Sequence, residues 1–143
     1  MKRRLLLKGL LGLWAGPGAA QQPRVRVAAV SQFPEVGSYV NFSYLNRPAT
    51  VIRVAKPPHI TPQYLQAGPD VYLSGYLREC PHNGCEVRFH PSASTLLVCY
   101  CHGSLFRRAD GRLEAGVAGE DLPGLRLELE GEDVVVVGLA NPA

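Results

Sequence analysis

A sequence of 143 residues, 46% of them apolar, is enough for one domain with a packed core. Fifteen glycines and twelve prolines, with a single methionine, argue against a fold built from long helices. The formal charge is +3, but four basic residues lie within the first eight positions and the remainder of the chain is nearly neutral. We therefore expect no nucleic-acid partner.

The first twenty residues have the pattern of an export signal. Arg3 and Arg4, followed by three leucines and a lysine, resemble a twin-arginine motif, and the short apolar run 9–20 ends in small residues suited to cleavage. Twelve helical residues would span about 18 Å, less than the ~30 Å core of a bilayer. We therefore expect residues 1–20 to be a cleaved signal that exports the folded chain to the periplasm or the extracytoplasmic face of the inner membrane. Membrane contact is expected only if the signal is kept as an anchor.

Residues 21–143 have the pattern of one all-β domain. Short segments either alternate between apolar and polar residues, as a half-buried strand does, or are rich in β-branched residues. These segments are residues 24–28, 38–44, 50–54, 71–77, 86–89, 95–98, 105–108, 125–129 and 134–137. The proline-rich residues 56–70 are predicted to form an irregular surface loop with at most one helical turn. We therefore predict an antiparallel β-sandwich with a small subdomain inserted at about residues 78–106.

All four cysteines and two of the four histidines lie between positions 80 and 102. They occupy two short loops in the spacing C-x-H-x16-C-x2-H, with one further cysteine in each loop. The six residues are Cys80, His82 and Cys85 in the first loop and Cys99, Cys101 and His102 in the second. Iron–sulfur clusters accept thiolate ligands, and two imidazoles in place of two thiolates on one iron raise the reduction potential to roughly −150 to +300 mV.

Two other interpretations of these six residues are possible. A structural zinc site is tetrahedral and takes four ligands, two fewer than this stretch offers. Two structural disulfides would explain four cysteines in an exported domain. They would not explain two histidines placed two or three residues after a cysteine in each loop. The pattern therefore favours an iron–sulfur cluster.

The stretch resembles the ligand region of Rieske 2Fe-2S proteins, and the predicted β architecture resembles theirs more loosely. The resemblance implies that Cys80 and Cys99 hold the buried iron of one 2Fe-2S cluster and that His82 and His102 hold the outer iron. It also implies that the inserted residues 78–106 are the cluster-binding subdomain of a Rieske domain spanning residues 21–143.

The same resemblance implies a disulfide between Cys85 and Cys101 that ties the two loops together. Rieske ferredoxins and ring-hydroxylating oxygenases generally lack this pair, whereas cytochrome bc Rieske subunits and many arsenite oxidase small subunits have it and work at high potential. In that group a serine at the position of Ser104 donates a hydrogen bond to a bridging sulfide. A tyrosine at the position of Phe106 donates to a ligand sulfur, and an apolar residue usually stands at the position of Asn83. We therefore expect a high-potential cluster with one tuning hydrogen bond missing.

Two functions follow from this resemblance, both as an electron-transfer subunit with no independent catalytic site. The first is the small subunit that passes electrons from a molybdopterin oxidoreductase of arsenite oxidase type to a downstream cytochrome or copper protein. Residues 42–44 and 121–123 resemble that family. The alternative is the Rieske subunit of a quinol-oxidising cytochrome bc complex, with cytochrome b as its larger partner. A structural β-domain without a redox role would leave the ligand pattern unexplained.

Overall fold

The computed structural model describes residues 22–81 and 83–140. The predicted export signal and the predicted ligand His82 lie outside the described residues. The described part contains a three-residue 3-10 helix and eleven strands, and no helix in it is long and apolar enough to span a bilayer. The strands are β1 (Val25–Ala29), β2 (Tyr39–Tyr44), β3 (Arg47–Val54), β4 (Tyr64–Gly68), β5 (Val71–Leu77), β6 (Val87–Phe89), β7 (Leu96–Cys99), β8 (Leu105–Arg107), β9 (Leu113–Ala115), β10 (Leu125–Glu130) and β11 (Asp133–Leu139).

The strands form three antiparallel sheets, which confirms the predicted all-β fold class. Their order is β1-β11-β10 in the first sheet, β2-β3-β5-β4 in the second and β6-β7-β8-β9 in the third. The first two sheets pack on each other as the core sandwich, around buried side chains that include Phe33, Tyr44 and Leu125. The third sheet and its loops form the cluster subdomain.

The second sheet is buried on both faces. Val51 and Leu73 belong to the core sandwich, whereas Ile52 and Tyr72, their neighbours along the strands, pack with the cluster subdomain. Because successive residues of a strand face opposite sides, a sheet covered on both sides takes almost continuous apolar strands, as β3 and β5 are. The cluster subdomain is therefore seated on the outer face of this sheet.

Tyr76 of β5 ties the second sheet to the cluster subdomain. Its side chain is fully buried, and its hydroxyl donates a hydrogen bond to the carbonyl of Arg108 at 2.7 Å. Burial raises the pKa of Tyr76 far above its ordinary value, and the carboxylate of Asp110 adds to the shift. Tyr76 therefore keeps its proton at physiological pH, and its hydroxyl continues to donate the hydrogen bond to Arg108.

The prediction of an irregular loop over residues 56–70 is wrong for its second half. β4 lies there and pairs with β5 in antiparallel register. The prolines at positions 62 and 69 flank this strand, so its own backbone N–H groups remain able to pair. Leu65 and Ala67 pack against the core sandwich. β4 lies at the edge of its sheet, where nearby prolines are tolerated.

Candidate cluster-binding site

The first ligand loop is a closed turn at the end of the second sheet. Glu79 and Glu86 form an isolated antiparallel bridge at its base. Inside it, the N–H of Cys80 donates to the carbonyl of Cys85, and the N–H of Gly84 donates back to the carbonyl of Cys80, both at 2.8 Å. Gly84 has a φ of +72°, a conformation that glycine adopts without steric cost. The loop is therefore held closed by hydrogen bonds of its own backbone.

The second ligand loop repeats this hydrogen-bond pattern. The N–H of Cys99 donates to the carbonyl of Ser104 at 2.9 Å, and the N–H of Gly103 donates to the carbonyl of Cys99 at 2.8 Å. Gly103 has a φ of +76°. Val87, at the start of β6, lies opposite Cys99 in the β6–β7 ladder, so the two loops emerge side by side. A cysteine followed four positions later by glycine occurs in both loops, and this sequence signal could have predicted their common geometry.

In the structure the two predicted cysteine ligands are buried, and the predicted histidine ligand His102 lies at the surface. Cys80 and Cys99 are 3% and 1% exposed and pack with apolar side chains of the cluster subdomain. His102 is exposed, and its Nδ1 lies 3.5 Å from Nδ2 of Asn83, which is also exposed. This is the arrangement expected if two thiolates bind an inner iron and imidazole binds an outer iron. His82, the second predicted imidazole ligand, lies outside the described residues.

The predicted disulfide is confirmed. Cys85 and Cys101 are bonded, with their Cα atoms 6.4 Å apart, and the bond joins the first ligand loop to the second. The sulfur atoms of Cys85, Cys99 and Cys101 lie within 4.8 Å of one another. Because disulfide sulfurs are not thiolates, these three do not make a metal site by themselves. The short distances show instead that the disulfide lies directly beside a predicted ligand.

Comparison with known proteins gives the family. Residues 24–127 match the Rieske 2Fe-2S domain family. The chain belongs to this family. Over 61 residues this Rieske domain is 38% identical to the cytochrome bc1 complex Rieske iron-sulfur subunit of Streptomyces lividans and 36% identical to that of Streptomyces coelicolor. The aligned segment is 42% of this chain but only 36% and 17% of those relatives.

Solved structures share the Rieske fold at low sequence identity. A hyperthermophilic respiratory Complex III chain matches with a TM-score of 0.54 and 22% identity, covering 90% of this chain and 87% of that one. The ferredoxin of carbazole 1,9a-dioxygenase from Nocardioides aromaticivorans matches with a TM-score of 0.52 and 17% identity, covering 82% of this chain and 99% of that one. These matches support the fold alone.

The donor atoms of the two loops fit a 2Fe-2S cluster, the cofactor of a Rieske domain. Two iron atoms with two protein ligands each require four donors. Outside the disulfide, the loops offer two buried cysteines and the exposed His102, and the sequence adds His82 between Cys80 and Asn83. We propose these four as the ligands. When bound, the cluster supplies one-electron redox chemistry. The chain itself keeps water from the thiolates and leaves an imidazole at the surface.

A third loop, which connects β9 to β10, also closes on the site, and the sequence pattern did not indicate this contact. The N–H of Ala118 donates to Oγ of Ser104 at 3.1 Å, and Ser104 is 1% exposed. A hydroxyl has one O–H and two lone pairs. Because Oγ of Ser104 accepts the hydrogen bond from Ala118 through a lone pair, its O–H remains able to donate the predicted hydrogen bond to a bridging sulfide. Phe106, the other predicted tuning position, is fully buried among the same apolar side chains as the two buried cysteines.

Gly116 allows the third loop to approach Ser104, so its replacement by alanine is expected to be costly. Its φ is +112°, and a Cβ there would lie 2.6 Å from both Cα and Oγ of Ser104. We expect Gly116→Ala to lower the free energy of unfolding by about 3 kcal/mol, because backbone strain and the clash both contribute. Chemical denaturation of the cluster-loaded protein measures this loss.

Gly119→Ala is the matched control for Gly116→Ala. Gly119 has a φ of +78° in the same loop, but a Cβ there would meet nothing within 4 Å. Only the strain of a left-handed alanine remains, and we expect a loss of about 1 kcal/mol. Equal losses for the two variants would show that the third loop is not packed against Ser104.

Proposed function

We propose that this Rieske domain is the electron-transfer subunit of a quinol-oxidising cytochrome bc complex. In this role it takes an electron released at a quinol site of cytochrome b and passes it to a downstream cytochrome or copper protein. The main support is the 38% identity over 61 residues to a cytochrome bc1 complex Rieske iron-sulfur subunit. The Cys85–Cys101 disulfide also favours the high-potential group over ferredoxins and oxygenases.

The described residues indicate how the chain would serve such a transfer. Cys80 and Cys99 are buried, so the inner side of the site is shielded from water. His102 is exposed, so a partner could contact the outer side directly. The disulfide and the repeated backbone hydrogen bonds hold both loops in place. A site that changes shape little between its oxidised and reduced states has a low reorganisation energy for electron transfer.

Transfer from a molybdopterin subunit of arsenite oxidase type is a second candidate. The sequence predicted it as the first choice, but the curated relatives favour the cytochrome bc function. The observation in its favour is Asn83, which is exposed and lies 3.5 Å from His102. A polar amide at this position does not suit a loop tip that docks into an apolar quinol pocket.

The partner that co-purifies with the chain distinguishes these candidates. The full chain with a carboxy-terminal tag would be isolated from membranes and soluble extract of its source organism, beside a Cys99→Ser control. We expect a haem b subunit and quinol-dependent reduction of the cluster in the wild-type complex, and no reduction in the control. A molybdenum-containing partner with arsenite-dependent reduction would contradict the cytochrome bc proposal and support the second candidate.

We also propose that the chain is exported after folding, on the strength of the twin-arginine pattern alone. Replacing Arg3 and Arg4 together by lysine is expected to leave folded, cluster-loaded protein in the cytoplasm, because the twin-arginine route accepts folded cargo and depends on the arginine pair. Cell fractionation with iron analysis of each fraction measures the outcome. Lys8→Gln, which keeps the pair, should be exported normally. Normal export of the double variant would contradict the proposal.

A further inference from the structure

Arg78 is a buried arginine at the base of the first ligand loop. It follows directly after β5, two positions before Cys80, and is 7% exposed. Among the described residues classed as buried, Arg78 and Asp110 are the ones with ionisable, normally charged side chains. Removing such a charge from water is costly unless hydrogen bonds and a counter-charge compensate. The contacts of Arg78 therefore indicate what its charge is used for.

The guanidinium of Arg78 joins the core sandwich to the first ligand loop. Nη1 donates to the carbonyl of Val87 at 2.8 Å and to the carboxylate of Glu86 at 3.1 Å, and Nε donates to the carbonyl of Ala49 in β3 at 3.4 Å. Its backbone does the same, since its N–H donates to Pro48 and its carbonyl accepts from Val87. The side chain of Arg78 thus fixes the end of the loop, and its backbone fixes the start, against the sheet beneath.

These contacts bring the positive charge to the point where the first ligand loop ends and the second begins. Glu86 directly follows the first loop, and Val87 lies opposite Cys99, the first residue of the second loop. Glu86 is the counter-charge, but its side chain is 46% exposed against 8% for Arg78. Water therefore screens the carboxylate more than the guanidinium, so Glu86 compensates the buried charge of Arg78 only in part.

We propose that Arg78 is a positioning residue that fixes the first ligand loop and, through its charge, raises the reduction potential of the cluster. Reduction adds one negative charge, and a buried cation nearby stabilises the reduced form. The inference rests on the cluster ligation proposed above and not on the identity of the redox partner. It predicts that Arg78 raises the reduction potential of the cluster and that Glu86 lowers it.

The test is a redox titration of the full, cluster-loaded chain and three variants, followed by electron paramagnetic resonance. Arg78→Gln removes the cation, and we expect the ratio of reduced to oxidised cluster at the wild-type midpoint to fall about tenfold, which is about 59 mV for a one-electron couple. Glu86→Gln leaves the cation unscreened, so the ratio should rise. Arg78→Lys keeps the charge without the planar fork, so the potential should stay near that of the wild type while stability falls.

Arg78→Gln and Glu86→Gln break the same ion pair, so a purely structural role would shift the reduction potential in the same direction in both variants. Shifts in opposite directions therefore indicate an electrostatic role. Arg108→Gln is the control, since Arg108 also donates to two carbonyls of the subdomain, those of Leu96 and His90, at the far end of the β6–β7 hairpin. It should lower stability without moving the potential. If Arg78→Gln does not fold, the Glu86→Gln variant still tests the inference, because Glu86 is exposed and its replacement is expected to raise the reduction potential. Unchanged or same-signed shifts would overturn the inference, and a wild-type chain without a cluster would overturn the ligation itself.

Discussion

Replacement of Cys99 by serine is expected to abolish cluster binding. Cys99 is 1% exposed and stands where the second ligand loop leaves β7. A serine hydroxyl is a hard, poorly ionised donor, whereas an iron–sulfur cluster requires soft thiolates. Iron and acid-labile sulfide per chain, with the visible absorption of the purified protein, should fall from two of each to background. Full iron content in this variant would show that the ligand assignment is wrong.

Cys80→Ser should give the same loss if the two buried cysteines act as a pair. Both lie in the same apolar environment, and each begins a loop with the same backbone hydrogen bonds. The comparison also distinguishes the proposed cluster from a zinc site. A chain that binds zinc and no sulfide, when produced in a host able to assemble clusters, would contradict the proposed ligation.

Removal of the disulfide is expected to destabilise the site without abolishing it. The bond between Cys85 and Cys101 closes a segment with a sequence separation of 16, for which the chain-entropy model gives about 3 kcal/mol. The double variant Cys85→Ser, Cys101→Ser should therefore still assemble a cluster, lose its iron faster and show a lower free energy of unfolding by about that amount. Denaturant unfolding and the rate of iron release measure the two effects.

The double variant is also the control for Cys99→Ser, because the Sγ atoms of Cys85 and Cys101 lie within 4.8 Å of the Sγ atom of Cys99. If sulfur atoms in this region act only by packing, both kinds of variant would behave alike. Complete loss of iron from the double variant, equal to that of Cys99→Ser, would contradict the division into two ligands and one structural bond. A stable double variant would show that the backbone hydrogen bonds suffice to hold the loops.

The fold class and the chemistry of the site could be predicted because their signals are local. Strand periodicity showed the all-β class, and the spacing of cysteines and histidines pointed to a mixed-ligand cluster. The resemblance to Rieske proteins then implied the correct disulfide. β4 was missed because the prolines around it suggested a loop, whereas pairing with β5 and burial of Leu65 decide its structure.

The contacts that complete the site could not be predicted because they join distant parts of the chain. Arg78 reaches Ala49, and Ala118 reaches Ser104, through single hydrogen bonds across 29 and 14 positions. Nothing in the local pattern around either residue indicates these partners. The motif also could not distinguish a cytochrome bc function from an arsenite oxidase function, because the resemblance implies the same ligands for both and a disulfide for many members of each.

Pulsed electron paramagnetic resonance of the reduced full chain tests the central claim most directly. Proteins grown with natural-abundance and with ¹⁵N-labelled histidine would be compared, so that couplings from imidazole nitrogens are identified by their isotope shift. The proposed ligation predicts strong couplings from two histidine nitrogens, reduced to one in His102→Cys. A 2Fe-2S signal without strongly coupled histidine nitrogen would contradict it, because neither His82 nor His102 would then be a ligand.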